Sequence, residues 1–171
     1  TLFTSIEKLN NGLGNKRTTR NNDLLLNYSV DEVDLSKKED AKVAGDITIQ
    51  YSSSYVTSYK YDENNKYYLR SVNGKAHTDY VTKEQYHFKN IITYQVKNTS
   101  LGDKKGRQDL DNVGSGEGYY ISNGEAIKIK WSKASRDAKT KYTLMDGTEL
   151  VVNDGNTWIH IQPKGETLKI E

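Results

Sequence analysis

His77-Thr78-Asp79 is the first place in this sequence where neighbouring side chains could do chemistry. On an extended segment, residues two apart project to the same side, so an imidazole and a carboxylate would share a face. Together they could ligate a metal, or the carboxylate could orient the imidazole as a general base. A zinc site needs three or four ligands. Only His87 stands near in sequence, with Tyr80 as a spare phenol. The plainer account, a hydrogen-bonded turn after Asn73-Gly74, carries more weight. No catalytic set is complete beyond the pair His77 and Asp79, and neither a metal nor a cofactor is expected.

Three other constellations bear on binding. Gly114-Ser115-Gly116-Glu117-Gly118 is glycine-rich, but a strand pattern follows it. Phosphate-cradling loops lead into a helix, whose amides and dipole meet the anion. The run therefore reads as a bulge or a close backbone crossing, and Ser115 lacks the setting of a nucleophile elbow. Tyr120, Lys128 and Lys130 read as one face of a hairpin, opposite Ile127, Ile129 and Trp131. With Lys133, Arg136, Lys139 and Lys141 beyond, that face could track a phosphate backbone or an anionic wall polymer; the plainer account is a solvated sheet face with edge-guarding lysines. Trp158 and His160 share one side of a late strand, with Ile159 and Ile161 on the other. The aliphatic pair is expected in the core. Trp158 is either a platform for a sugar ring or partner, or, as a large aromatic, covered by the N-terminal segment; the second is preferred.

What must position these groups is a sheet. Ser122-Asn123-Gly124-Glu125 and Asp146-Gly147 each sit between apolar-alternating runs, Tyr119–Ile121 with Ala126–Trp131 and Tyr142–Met145 with Thr148–Val151. Asn-Gly and Asp-Gly suit tight type I′ turns, which need positive φ at both central residues. Upstream, Ile47–Tyr51 alternates, with Ile47, Ile49 and Tyr51 inward. Tyr55–Tyr61 and Lys66–Ser71 flank a four-residue loop, and Asn90–Val96 is apolar on both faces, as a central strand is. Residues 34–40 read as surface loop, 83–88 are ambiguous, and 97–112 have no period. A last strand, Thr157–Gln162, stops at Pro163, the only proline. Thr4-Ser5-Ile6-Glu7 has the form of a capping box for a short helix over about residues 5–12. Residues 15–23 are turn-like, and Leu24-Leu25-Leu26 is expected to anchor the segment before the sheet.

Composition narrows the class further. The chain has 171 residues, no cysteine, a net charge of +2, and thirteen tyrosines beside two tryptophans and two phenylalanines. That length suits one domain. Cystine staples and Cys-ligated zinc are excluded. Mixed-sign charge gives no bulk footprint for nucleic acid, and no apolar run is long enough to span a bilayer as a helix. Tyrosine favours strands and keeps a wet hydroxyl on an apolar ring. The expected fold class is mainly β, a β-dominated α+β arrangement: an antiparallel meander sheet with one short N-terminal helix. Residues 1–171 are expected to form a single β-rich domain, with 1–23 a helical junction and 43–163 the sheet core.

The ordered set Tyr68-Leu69-Arg70, Asn73 to Asp79, Asn90-Ile91-Ile92, Gly114 to Tyr120, Asn123-Gly124, Trp131-Ser132-Lys133, Asp146-Gly147 and Gly155 to Ile159 resembles the C-terminal domain of the YerB-like bacterial lipoproteins, a family of unknown function. Leu2-Phe3-Thr4-Ser5 resembles the junction at which their N-terminal domain hands over. The resemblance implies a location outside the cytoplasmic membrane, held by a lipid anchor and preceded by an N-terminal domain, both of which are expected to lie outside this stretch of sequence. It transfers no activity. The expectation is a non-catalytic binding or assembly module whose partner is an envelope protein or wall polymer, besides the N-terminal domain of the same protein. The rivals are a hydrolase using His77 and Asp79 and a polyanion or nucleic-acid binder using Lys128 and Lys130; no nucleic acid is expected. Candidate ligand contacts are Trp158, His160, Tyr120, Lys128 and Lys130.

Overall fold

Two Asn-Gly corners hold the strands in register. Asn73 and Gly74 have φ of 49° and 74°, and Asn123 and Gly124 have φ of 53° and 80°, the paired left-handed geometry of a type I′ turn. Asp146-Gly147 differs, because only Gly147 has positive φ. There the Asp146 carboxylate accepts from Thr148 N at 2.8 Å, and Gly147 N donates to Leu144 O, so this corner is an aspartate-capped turn.

The computed structural model describes residues 5–13 and 24–171. Helix α1 (Ile6–Leu13) is followed by β1 (Asn27–Ser29), a 3-10 turn (Leu35–Lys37), β2 (Lys42–Val43), β3 (Asp46–Ser52), β4 (Tyr55–Asp62), β5 (Tyr67–Val72), β6 (Lys75–Ala76), β7 (His87–Phe88) and β8 (Asn90–Ser100). Then come β9 (Gln108–Asp111), β10 (Gly114–Ser122), β11 (Glu125–Lys133), β12 (Lys141–Leu144), β13 (Val151–Asn153), β14 (Thr157–Pro163) and β15 (Leu168–Ile170). The fold is mainly β. One sheet runs β12-β11-β10-β8-β14, with β2 on β11 and β9 on β8; the other runs β15-β3-β4-β5-β6, with β7 on β5. Pairing is mostly antiparallel, but β14 lies parallel to β8, and β1 lies parallel to β13. Strands continue past Pro163 to Ile170, which pairs with Ile47.

Strand β8 shows why two cores exist. Its Ile92, Tyr94 and Val96 point into one apolar cluster with Tyr120, Ile127, Ile129 and Trp131, and its Ile91 points into the other with Ile121, Ala126, Ile47, Ile49, Tyr59 and Tyr68. The first sheet is thus packed on both faces. Loop residues Leu26, Leu35 and Leu150 cover one face, and the second sheet covers the other. Of the three adjacent leucines only Leu26 is an anchor, since Leu24 and Leu25 are exposed. Leu35 is buried, so the 34–40 segment is more than surface loop: Asp34 caps the turn that inserts it.

The 97–112 segment is not a long loop. Strands β8 and β9 pair there, and Asp103 folds the connection by accepting from the amides of Lys105 and Arg107. At α1, Ser5 accepts from Lys8 N; Thr4, proposed for the capping box, and residues 15–23 lie outside the described residues. No helix among the described residues is long and apolar enough to cross a membrane.

Candidate functional site

The His77–His87 connection is a built loop. His77 N donates to Arg70 O and its O accepts from Tyr86 N; Thr78 bridges Gln85, and Asp79 N donates to Glu84 O. At the tip, one Asp79 oxygen accepts from Val81 N and Thr82 N, both at 2.8 Å, and the other accepts from the Tyr86 hydroxyl at 3.0 Å. These amide bonds, then the phenol, hold the Asp79 carboxyl below its ordinary range. The loop lifts Tyr80 and Val81, 79% and 83% exposed, into solvent.

His77 turns elsewhere. Its Nδ1 meets Arg70 Nη1, and its ring lies 4.7 Å from that of Tyr86. Partial burial, then the Arg70 charge, lowers its pKa, favouring the neutral ring that can accept from Arg70. Asp79 and His77 are therefore not hydrogen-bonded to each other. Tyr86 stands between them, touching one with its ring and the other with its hydroxyl. The base-and-orienter pair that a hydrolase would need is not formed.

Beneath this loop lies a polar seam between the sheets. Register pairs Tyr59 with Arg70 across β4 and β5, so both point inward. From the facing sheet come Trp158 and His160, which sit beside Ile91 and Thr93. His160 is 1% exposed, with Tyr51 Oη 2.6 Å from Nδ1 and Tyr59 Oη 2.7 Å from Nε2. Burial, then the Arg70 charge, pushes its pKa down to about 3. Burial likewise pushes the Tyr51 phenol up to about 12 and that of Tyr59 up as well. His160 is thus an interior strut rather than an exposed ligand contact. Trp158 is half-buried against the second sheet, with Phe88 at 4.9 Å edge-on and the Arg70 guanidinium 4.4 Å over the ring; residues 1–4 and 14–23 of the N-terminal segment expected to cover it lie outside the described residues.

The remaining candidates separate. Across the Asn123-Gly124 corner Tyr120 pairs with Ile127, and Lys128 pairs with Tyr119. Tyr120 is consequently on the Ile127 face and fully buried. Its hydroxyl donates to Asn90 Oδ1 and accepts from Asn153 N, so its role is to tie strands together. Lys128 and Lys130 are exposed but sit in a field of mixed sign. Lys130 pairs across from Glu117 and donates to Met145 O, while Lys128, Glu117 and Glu166 line one cleft of about 380 Å³. The glycine run contains no bulge. A Cβ on Gly116 would sit 2.8 Å from Trp131 Nε1, and one on Gly118 would sit 2.4 Å from Thr93 O; both glycines make room where Trp131 stacks on Tyr94.

Sequence reasoning missed Arg70, Tyr59 and Tyr51 as site residues. An arginine on a strand reads as solvent-facing, yet its register partner Tyr59 and its neighbour two back, Tyr68, are buried; that parity was the available signal.

The fold and the seam together define a two-sheet β module with an interior Arg-His-Tyr network and a projecting aromatic loop. Residues 47–159 match the family described as protein of unknown function (DUF3048), C-terminal domain, and the chain belongs to that family. The chain is 30% identical over 136 residues, 75% of its length, to the Bacillus subtilis (strain 168) protein recorded as "Putative lipoprotein YerB". It is also similar to the crystal structure of YerB protein from Bacillus subtilis, with a TM-score of 0.74, 21% identity and 97% of this chain covered. The chain spans 40% of that curated relative and 54% of that solved chain.

Proposed function

We propose that this chain is a non-catalytic binding or assembly module of a bacterial surface lipoprotein, working outside the cytoplasmic membrane against another envelope protein. The observation that carries this reading is the Asp79-organised loop. Three hydrogen bonds to one carboxylate fix its tip, yet the tip presents Tyr80 and Val81 to solvent. Exposed tyrosines on ordered backbone are what protein interfaces use as anchors, because little side-chain entropy is lost on contact. The lipoprotein character of the YerB relative supports the location. A wall polymer fits less well, because the lysines that would follow it share their cleft with Glu117 and Glu166.

The test is site-specific photo-crosslinking in cells carrying the whole lipoprotein. A benzophenone side chain at position 80 is expected to give one discrete envelope-protein adduct, weakened by Asp79→Ala, which frees the tip. The same probe at position 30, which is fully exposed, is expected to give none. Equal adducts from both positions, or none from position 80, would remove the reading.

A further inference from the structure

Arg70 is 2% exposed, and among the described residues no carboxylate pairs with it. Its Nη1 meets His77 Nδ1, its Nη2 has a long 3.4 Å contact to Thr57 Oγ1, the Tyr59 hydroxyl also engages the guanidinium, and its Nε has no partner. Trp158 lies against the guanidinium face. The other polar groups of the seam, Tyr59, His160 and Tyr51, bond to one another, and Asp79 is committed to the loop tip. A cation this deep without a counter-charge costs several kcal/mol. Removing Arg70 and filling its space with apolar atoms would be the stable alternative, so its retention calls for a use.

Nε and Nη2 form one edge of the guanidinium plane. That edge is the one that takes two oxygens of an anion side-on, in paired charge-assisted hydrogen bonds. We propose that this edge of Arg70 binds an oxyanion, the carboxylate, sulfate or phosphate group of a ligand, with Trp158 as its floor and His77 bracing the opposite edge. His77 is held through its backbone bonds to Arg70 O and Tyr86 N, and its ring through Arg70 Nη1 and the Tyr86 ring. The site supplies one charge and one flat face, so it selects planar or tetrahedral oxyanions over halides, which cannot use both donors.

The experiment is a nuclear magnetic resonance titration of the full chain with sodium sulfate, against sodium chloride at matched ionic strength. The expected result is a saturable downfield shift of the Arg70 Nε–H signal, with the Trp158 indole signal moving in step and chloride producing neither. Arg70→Lys keeps the charge but has no side-on edge, and is expected to weaken sulfate binding at least about tenfold, the loss of ~1.4 kcal/mol. Glycerol 3-phosphate and N-acetylglutamate, titrated in turn, assign the source: the compound that saturates at lower concentration names the phosphate or the carboxylate class. A wild-type titration without saturation, or Arg70→Lys binding as tightly as wild type, overturns the proposal. Neither result depends on Tyr80, so this titration and the crosslinking experiment fail separately.

Discussion

His160 shows how one residue sets a pH response. A neutral imidazole has one N–H and one bare nitrogen, so of Tyr51 and Tyr59 one accepts and the other donates. With the proton on Nδ1, His160 donates to Tyr51 and accepts from Tyr59; with the proton on Nε2 the two roles exchange. The folded pKa of about 3 lies below the ordinary histidine value of about 6.5. Between those limits the unfolded chain holds a proton that the folded chain refuses. Stability contributed by neutral His160 is therefore complete above the upper value and falls as pH drops through the window, by at most about 1.4 kcal/mol per pH unit. We predict that His160→Gln, less stable than wild type at pH 7, closes that gap as denaturant midpoints are followed from pH 7 to pH 4. Parallel curves for the two proteins would refute the assignment.

At the scale of elements, the strand pair β10–β11 is where sequence reading worked best and also slipped. The Asn123-Gly124 corner and the alternation around it were plain because turn chemistry and period two are local. Facing was not, because a two-residue corner pairs even positions on one strand with odd positions on the other: Tyr120 meets Ile127, and Glu117 meets Lys130. Tyr120 was therefore placed on the lysine face although it is core. The glycines of β10 are legible as a close backbone crossing but not by partner, because what they accommodate, the Trp131 ring and the β8 backbone, comes from other strands. Backbone cannot give way as a ring edge can. We predict that Gly118→Ala costs about 1–3 kcal/mol, the range for overpacking, and more than Gly116→Ala, in urea melts followed by tryptophan fluorescence. A Gly118→Ala cost below about 0.5 kcal/mol, the scatter of neutral surface changes, would mean that the strands can part there.

For the molecule as a whole, the division into two sheets was hidden in the sequence. It depends on β14 settling parallel beside β8 and on β15 returning to β3, and such long-range pairings leave no local pattern. The consequence is that the two cores share the β8-β10-β11 layer and are stitched across the seam. Gln162 Nε2 donates to Gln50 O at 2.6 Å and Thr167 O at 2.7 Å, and the Tyr68 hydroxyl accepts from Gly124 N at 2.9 Å. Neither sheet can open its seam face without stranding these polar groups, each costing about 1–3 kcal/mol unpaired. We therefore propose that the two sheets unfold as one domain. Two tryptophans make this measurable, since Trp131 is in the first core and Trp158 packs against the second. Trp131→Phe leaves a reporter of the seam, and Trp158→Phe leaves a reporter of the other core. In each variant the fluorescence and far-ultraviolet dichroism transitions are expected to coincide in urea, the mark of two-state behaviour. If, in the Trp131→Phe protein, Trp158 fluorescence changes at lower urea than the dichroism does, the second sheet comes away first and the cores are separate folding units.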